Sequence, residues 1–341
     1  MRALVLVGGL GTRLRPLTHH RPKQMLPIVN RPMIEHVVGH LVDHGVDDVV
    51  LSLGYQPDGF RDAYPGGRCA GASLHYAIEP EPLDTAGAIR FAAVDAGIDE
   101  RFLVVNGDVL TDLDVTAFVA FHNARDAEGT IALHRVDDPS RYGVVLTDAE
   151  GRVSAFIEKP PRDEAASDLI NAGTYVLEPP IIDRIPAWRR VSVERETFPA
   201  MAAAGSLYAC ADDCYWIDTG TPCEYIQAQL DLIDGARGAP IDGIHPDAEV
   251  ATGAAVGHSV VGAGAVVAHG ARVEDSVLLP GVRVCTSAVV EGSVVGEGAV
   301  VAEGAQVLGG SVVGDGEVVA PGRHVDGQRV PLTDARGSVK A

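Results

Sequence analysis

From residue 244 onward, apolar residues return at a fixed interval of six. The series runs Ile244, Val250, Val256, then Val261, Val267, Val273, then Leu278, Val284, Val290, then Val295, Val301, Val307, Val313, Val319 and Val325. A step of five replaces six just before Val261, Leu278 and Val295. Similar phrases beginning at Ser259, Ser276, Ser293 and Ser311 mark the resets, 17, 17 and 18 residues apart. One apolar residue per six, with Gly and Ala at the corners, is the pattern of a parallel β-helix whose coils have three sides. A disordered Val/Gly-rich tail would not keep this phase. The repeat sets the expected boundaries: a β-helix domain at 244–328, a small-residue linker at 235–243 containing Gly235-Ala-Arg-Gly-Ala-Pro240, and a loose tail at 329–341.

Residues 1–234 read differently. Short apolar runs at Arg2–Val7, Asp48–Leu53, Leu74–Ile78, Phe102–Val105 and Thr130–Arg135 predict strands. Helical patterns at Pro32–Gly45, Ala86–Ala96 and Val115–Arg125 separate them. Such alternation predicts an α/β domain with a mainly parallel sheet covered on both faces. Ligands of such sheets sit beyond the carboxyl ends of the strands.

Charge narrows the function. With 27 Lys and Arg against 47 acidic residues, the formal charge is −20, which argues against a nucleic-acid or anionic-membrane surface. No apolar run approaches the roughly 18–20 residues of a membrane span, and Ala3–Val7 is too short for a signal-peptide core. The five cysteines form no disulfide framework. A cytoplasmic enzyme acting on small molecules is the expectation. Only Lys23, Lys159 and Lys340 are lysines among the 27 basic residues. Lys23 and Lys159 stand in motif-like contexts, where a compact ammonium meets a phosphate as a point charge.

The segment Gly8-Gly-Leu-Gly-Thr-Arg-Leu-Arg-Pro-Leu-Thr18, followed by Arg21-Pro-Lys23, leaves the first strand as a Gly-rich turn. Backbone N–H groups in such a turn can converge on phosphate. It is not a dinucleotide fingerprint, since Leu14 stands at the third glycine position, and it lacks the ending of a P-loop. Arg13, Arg15 and Lys23 nevertheless form a cationic cluster in an acidic chain.

With Gly8–Pro27, Glu79–Ala88, Asn106-Gly-Asp108, Tyr142-Gly-Val-Val145, Glu158-Lys-Pro160, Asn171-Ala-Gly173, Ser192–Pro199 and Trp216–Thr221 in this order, the chain resembles the sugar-1-phosphate nucleotidylyltransferases. The resemblance implies a Rossmann-like nucleotidyltransferase domain followed by a short left-handed parallel β-helix. It also implies attack of a sugar-1-phosphate on the α-phosphorus of a nucleoside triphosphate. Gly8, Gly9, Gly11 and Thr12 would hold the triphosphate and base, Arg13 would neutralise the departing phosphates, and Lys23 would sit on the α-phosphate. Asp108 and Asp218 would hold Mg²⁺, which suits a few carboxylates completed by substrate oxygens. Lys159 would take the sugar phosphate and Glu158 the sugar hydroxyls, with Asn171 and the backbone near Gly143 also on the sugar. An exposed ion pair would leave the same Glu158-Lys159 pattern in the sequence. Ser192 reads as a helix cap, with Glu194 mainly structural.

Base choice rests on Glu79-Pro-Glu-Pro-Leu-Asp-Thr-Ala-Gly87. One carboxylate can accept both N1–H and N2–H of guanine, whereas the acceptor–donor–acceptor edge of thymine or uracil suits an amide. Thymidylyl- and uridylyl-type relatives carry Gln at the place of Glu79, which favours GTP, with mannose-1-phosphate as the sugar. Asp84 stands where relatives usually have Gly, and with Gly87 it belongs to the expected nucleotide pocket. Two alternatives remain: a dTTP- or UTP-dependent glucose-1-phosphate enzyme, and a non-catalytic regulatory subunit that senses a sugar nucleotide. The flat sides and open ends of a β-helix predict a homo-oligomer.

Overall fold

The computed structural model describes residues 1–54 and 56–331. The described residues form two compact units, which interleave along the sequence: residues 1–9 with those of 34–216, and residues 10–33 with 217–331. The segment at 10–33, which carries Gly11, Arg13 and Lys23, belongs to the β-helix unit.

The first unit is built on a ten-stranded sheet. Its centre is parallel: Arg2–Leu6 lies between Asp48–Leu53 and Phe102–Asn106, and Ala72–Ile78 continues beside Asp48–Leu53. Ala3, Leu4 and Val5 are fully buried, as strands covered on both faces require. Beyond Phe102–Asn106 the sheet turns antiparallel through Leu169–Leu177, Gly143–Thr147 and Val153–Glu158. Gly129–Arg135 also pairs antiparallel with Leu169–Leu177, and Leu207–Ala211 adds to it in parallel. The sheet is thus parallel at its heart and mixed on one flank. The helices expected at 32–45, 86–96 and 115–125 form at Met33–Asp43, Asp84–Asp95 and Val115–Asn123.

In the second unit, two-residue and three-residue strands stack into three all-parallel ladders of five strands each, consistent with the left-handed β-helix. Val261, Val267, Val273, Leu278, Val284 and their successors to Val325 point inward and are buried. Val250 at the open first coil is 40% exposed. The last strand is Arg329–Val330, paired with Val312–Val313. It takes in two residues beyond the boundary expected at 328; residues 332–341 of the expected tail lie outside the described residues.

The recurring serines form a buried ladder. Ser276 N–H donates to Ser259 Oγ, and Ser293 N–H to Ser276 Oγ, each at 3.1 Å. Ser276 and Ser293 in turn donate their hydroxyls to the carbonyls of Glu274 and Glu291.

Helix Pro222–Ile233 starts with a capping box, in which Thr221 and Glu224 satisfy each other's backbone N–H groups. Buried Gln229 on this helix accepts from Val29 N–H at 2.7 Å and donates to Pro27 O at 2.9 Å. Tyr225 donates to the same carbonyl. These bonds tie the loop at 10–33 into its unit.

Candidate active site

In the sheet unit, Gly8, Glu79 and Asp108 all follow the carboxyl ends of central parallel strands. Glu79 is 9% exposed. Its Oε1 accepts from Ser52 Oγ at 3.3 Å and its Oε2 from Leu83 N–H at 3.0 Å. Burial raises the Glu79 pKa above the ordinary carboxylate value, against the opposing pull of these two hydrogen bonds. A Cβ on Gly8 would sit 3.5 Å from Glu79 Oε1, so bare backbone faces the buried carboxylate. Gly9 has open space beside it.

Asp84 adopts φ +61°, in the left-handed region that glycine enters freely and Asp tolerates. Its side chain is exposed, and Oδ1 accepts from Thr85 N–H at 2.9 Å. The carboxylate thus turns outward. Gly87 is buried, and a Cβ there would meet Arg189 O at 2.8 Å. Its missing side chain is accounted for by the close approach of the segment at 189–191.

Asp108 is half-buried. The turn that carries it depends on Gly107, where a Cβ would strike Val7 Cγ1 at 2.5 Å. The ladder of Leu169–Leu177 shifts register between Asn171 and Tyr175. There Gly173, at φ +75°, leaves room for Asn106, whose Nδ2 would lie 2.5 Å from an added Cβ. Asn171 uses both ends of its amide locally: Nδ2 donates to Tyr175 Oη at 2.9 Å and Oδ1 accepts from Gly173 N–H at 3.0 Å. Burial, and then the charge of Glu194 and those of Glu158 and Asp108, raise the Tyr175 pKa. Tyr175 packs edge-to-face on Phe198 at 5.0 Å while its hydroxyl meets Asn171.

Gly143 stands opposite Glu158 in the ladder, and a Cβ there would meet Phe156 Cζ at 2.6 Å and Glu158 Oε2 at 3.1 Å. Lys159, at φ +49° and 57% exposed, pairs with Glu158 Oε1 at 3.1 Å. Tyr142 and Trp216 meet edge-to-face at 5.6 Å, and Trp216 Nε1 donates to Ala172 O. Ser192 caps its helix through Arg195 N–H, while Glu194 accepts from Thr85 and Ser192 hydroxyls.

In the β-helix unit, Gly11 at φ +59° packs tightly between Thr18 and Lys23, and Thr18 Oγ1 donates to Gly11 O at 2.8 Å. Thr12 and Arg13 follow in a single 3₁₀ turn. Lys23 is buried, with Nζ 3.7 Å from Asp218 Oδ1, and Arg13 Nη2 lies 4.0 Å from Asp218 Oδ2. Two cations from one loop therefore converge on one carboxylate. Gly220 makes room for this: a Cβ would sit 2.8 Å from Arg13 Cζ and 2.9 Å from Asp218 Oδ1.

The pattern of the nucleotidyl transferase family matches residues 2–235, and that of the GMPPB C-terminal domain matches residues 241–335. The chain belongs to the nucleotidyl transferase family. Within this family it is 41% identical over 291 residues to a mannose-1-phosphate guanylyltransferase of Mycobacterium tuberculosis, covering 82% of this chain and 80% of that one. It is 37% identical over 300 residues to mannose-1-phosphate guanylyltransferase 1 of Arabidopsis thaliana, covering 83% and 82%. Among solved structures it is similar to HddC from Yersinia pseudotuberculosis complexed with GMP-PN (TM-score 0.58, 32% identity), covering 67% of this chain and 97% of that one. A Bacillus anthracis glucose-1-phosphate thymidylyltransferase structure shares the fold at TM-score 0.62 and 24% identity, covering 71% and 97%.

The chain is thus a nucleotidyltransferase. Asp108 and Asp218 offer hard carboxylate oxygens, the donor type that Mg²⁺ prefers. Gly220 and Gly173 were not among the expected site residues. Their signal is contact with residues distant in sequence. Among the described residues no helix is long and apolar enough to cross a membrane.

Proposed function

We propose that the chain transfers a guanylyl group from GTP to mannose-1-phosphate, giving GDP-mannose and pyrophosphate. The observation that carries the base choice is Glu79, a buried carboxylate at a parallel strand end with bare Gly8 beside it. Each of its oxygens accepts one hydrogen bond from Ser52 or Leu83, and each retains a lone pair for the adjacent N1–H and N2–H of guanine. The names of the guanylyltransferase relatives agree with this choice.

A phosphate oxygen of mannose-1-phosphate attacks the α-phosphorus of GTP in line. The bond to the bridging oxygen between the α- and β-phosphates breaks, and pyrophosphate leaves with the electron pair. Lys23 faces the α-phosphate as charge builds there, and Arg13 neutralises the departing phosphates. Fixed cations of this kind supply most of the acceleration of such a transfer. Lys159 holds the phosphate of the sugar, while Glu158, Asn171 and the backbone at Gly143 hold its hydroxyls. Asp108 and Asp218 would hold Mg²⁺, which would lend positive charge to the phosphate oxygens. The proposal includes a cytoplasmic location and a homo-oligomer assembled through the β-helix. A monomer by sedimentation at micromolar concentration would overturn the oligomer.

The test is pyrophosphate release with Mg²⁺, pairing each nucleoside triphosphate with mannose-1-phosphate and glucose-1-phosphate. Release with GTP and mannose-1-phosphate is the expected outcome. A preference for dTTP or UTP would overturn the base assignment. No release across the panel, with nucleotide still bound, would identify a regulatory subunit.

A further inference from the structure

The loop that carries Arg13 and Lys23 is seated on the β-helix at one corner of two successive coils. Arg21 Nη2 donates to Glu297 Oε2 at 2.5 Å and to Asp315 Oδ2 at 3.0 Å, joining residues 276 and 294 positions apart. The side chain of Arg21 is 24% exposed. Asp315 Oδ1 accepts from Glu297 N–H at 2.8 Å, locking the two turns together. Alongside, Pro16 lies against Gly314, where a Cβ would fall 3.0 Å from Pro16 Cγ. Arg329 Nη2 donates to the backbone oxygen of Arg13 at 2.6 Å.

Two carboxylates this close repel each other unless a cation lies between them, and a guanidinium can serve both. Of the residues in this seat, Arg21 stands two positions from Lys23. A loop left free would have to be ordered when the triphosphate binds, and that ordering weakens affinity. The geometry points to Arg21 as a positioning residue: through Glu297 and Asp315, the β-helix holds the loop so that Arg13 and Lys23 are in place before the nucleotide arrives. This inference rests on the proposed reaction. It assigns to the β-helix a part in nucleotide binding that acts through Arg21.

Two readouts test it on the full-length protein: steady-state kinetics with GTP and mannose-1-phosphate, and hydrogen–deuterium exchange of the amides at 10–24. Arg21→Ala should raise KM for GTP about tenfold by returning the ordering cost to the binding step. KM for mannose-1-phosphate should stay within about twofold, because the sugar-side residues do not depend on the seat. Exchange at 10–24 should become faster. Arg21→Lys, which keeps the charge but loses the fork, should recover part of the GTP effect, and Glu297→Gln with Asp315→Asn should reproduce the alanine variant. Unchanged GTP kinetics, or an equal rise in both KM values, overturns the inference. Should wild type release pyrophosphate from no triphosphate, the reaction assignment fails and exchange alone decides the seat. Unchanged exchange in the Arg21→Ala and Glu297→Gln variants then overturns it.

Discussion

A side chain on Gly220 would occupy the space that the Arg13 guanidinium fills, its Cβ only 2.8 Å from Arg13 Cζ. Gly220→Ala should therefore push Arg13 away from Asp218. Displacing one preorganised cation should lower turnover by about ten- to a hundredfold. In an Arg13→Ala background the same change should add little, because both act through one group. Full additivity in a double-mutant cycle would contradict the packing argument.

Glu79 combines burial with a raised pKa. Its folded-state pKa lies above the unfolded value, so its contribution to stability is complete below the unfolded pKa and is lost as pH rises through the folded one. Glu79→Gln should accordingly raise Tm more at pH 8 than at pH 4. The same change should cut the preference for GTP over UTP by about tenfold or more, as a mismatched hydrogen-bonding edge does. A constant Tm difference across pH, or an unchanged base preference, would refute the respective half.

Lys159 forms an ion pair with Glu158 while remaining 57% exposed. Exposed pairs contribute about 0–1 kcal/mol, so Lys159→Ala should leave Tm almost unmoved. KM for mannose-1-phosphate should nevertheless rise by about tenfold, since a charge-assisted contact to phosphate is lost. An unchanged KM would return the pair to an ordinary surface role.

The outward-facing Asp84 should matter to the backbone and not to the base. Asp84→Gly should leave nucleotide choice within about twofold of wild type, since the side chain is exposed. Asp84→Val should destabilise by about 1–2 kcal/mol, because a β-branched residue resists φ +61°. Nucleotide competition and urea denaturation check the two outcomes.

Ser276→Ala should cost about 1–3 kcal/mol, as it strips the acceptor from the buried Ser293 N–H. Urea denaturation followed by circular dichroism would measure it. A cost below about 0.5 kcal/mol would show that a neighbouring group or water replaces the hydroxyl.

The β-helix was legible because each inward Val repeats in fixed phase, so the sequence period is the structural period. Strand ends that carry Gly8, Glu79 and Asp108 were legible for a similar reason: an apolar run and the residue that ends it are adjacent in sequence. Partners set by packing were not. Nothing beside Arg21 announces Glu297, and nothing beside Gly220 announces Arg13. The antiparallel flank was equally hidden, since an apolar run does not state the direction of its partner. The reach of Gln229 and Tyr225 back to Pro27 is again a long-range fact.

The β-helix can change length only by whole coils, 17 residues in most of this chain, and each coil advances the stack by about 4.8 Å. The loop at 10–33 is fastened twice, to helix Pro222–Ile233 through Pro27 and to the coil corners at Glu297 and Asp315. One coil gained or lost before Ser293 would change the distance between those fastenings by a full step. The stretch from Ile244 to Glu297 therefore acts as a gauge block whose number of coils is fixed by the loop that spans it. Coils added after Arg329 would meet no such constraint, so variation in the length of the stack belongs at its far end.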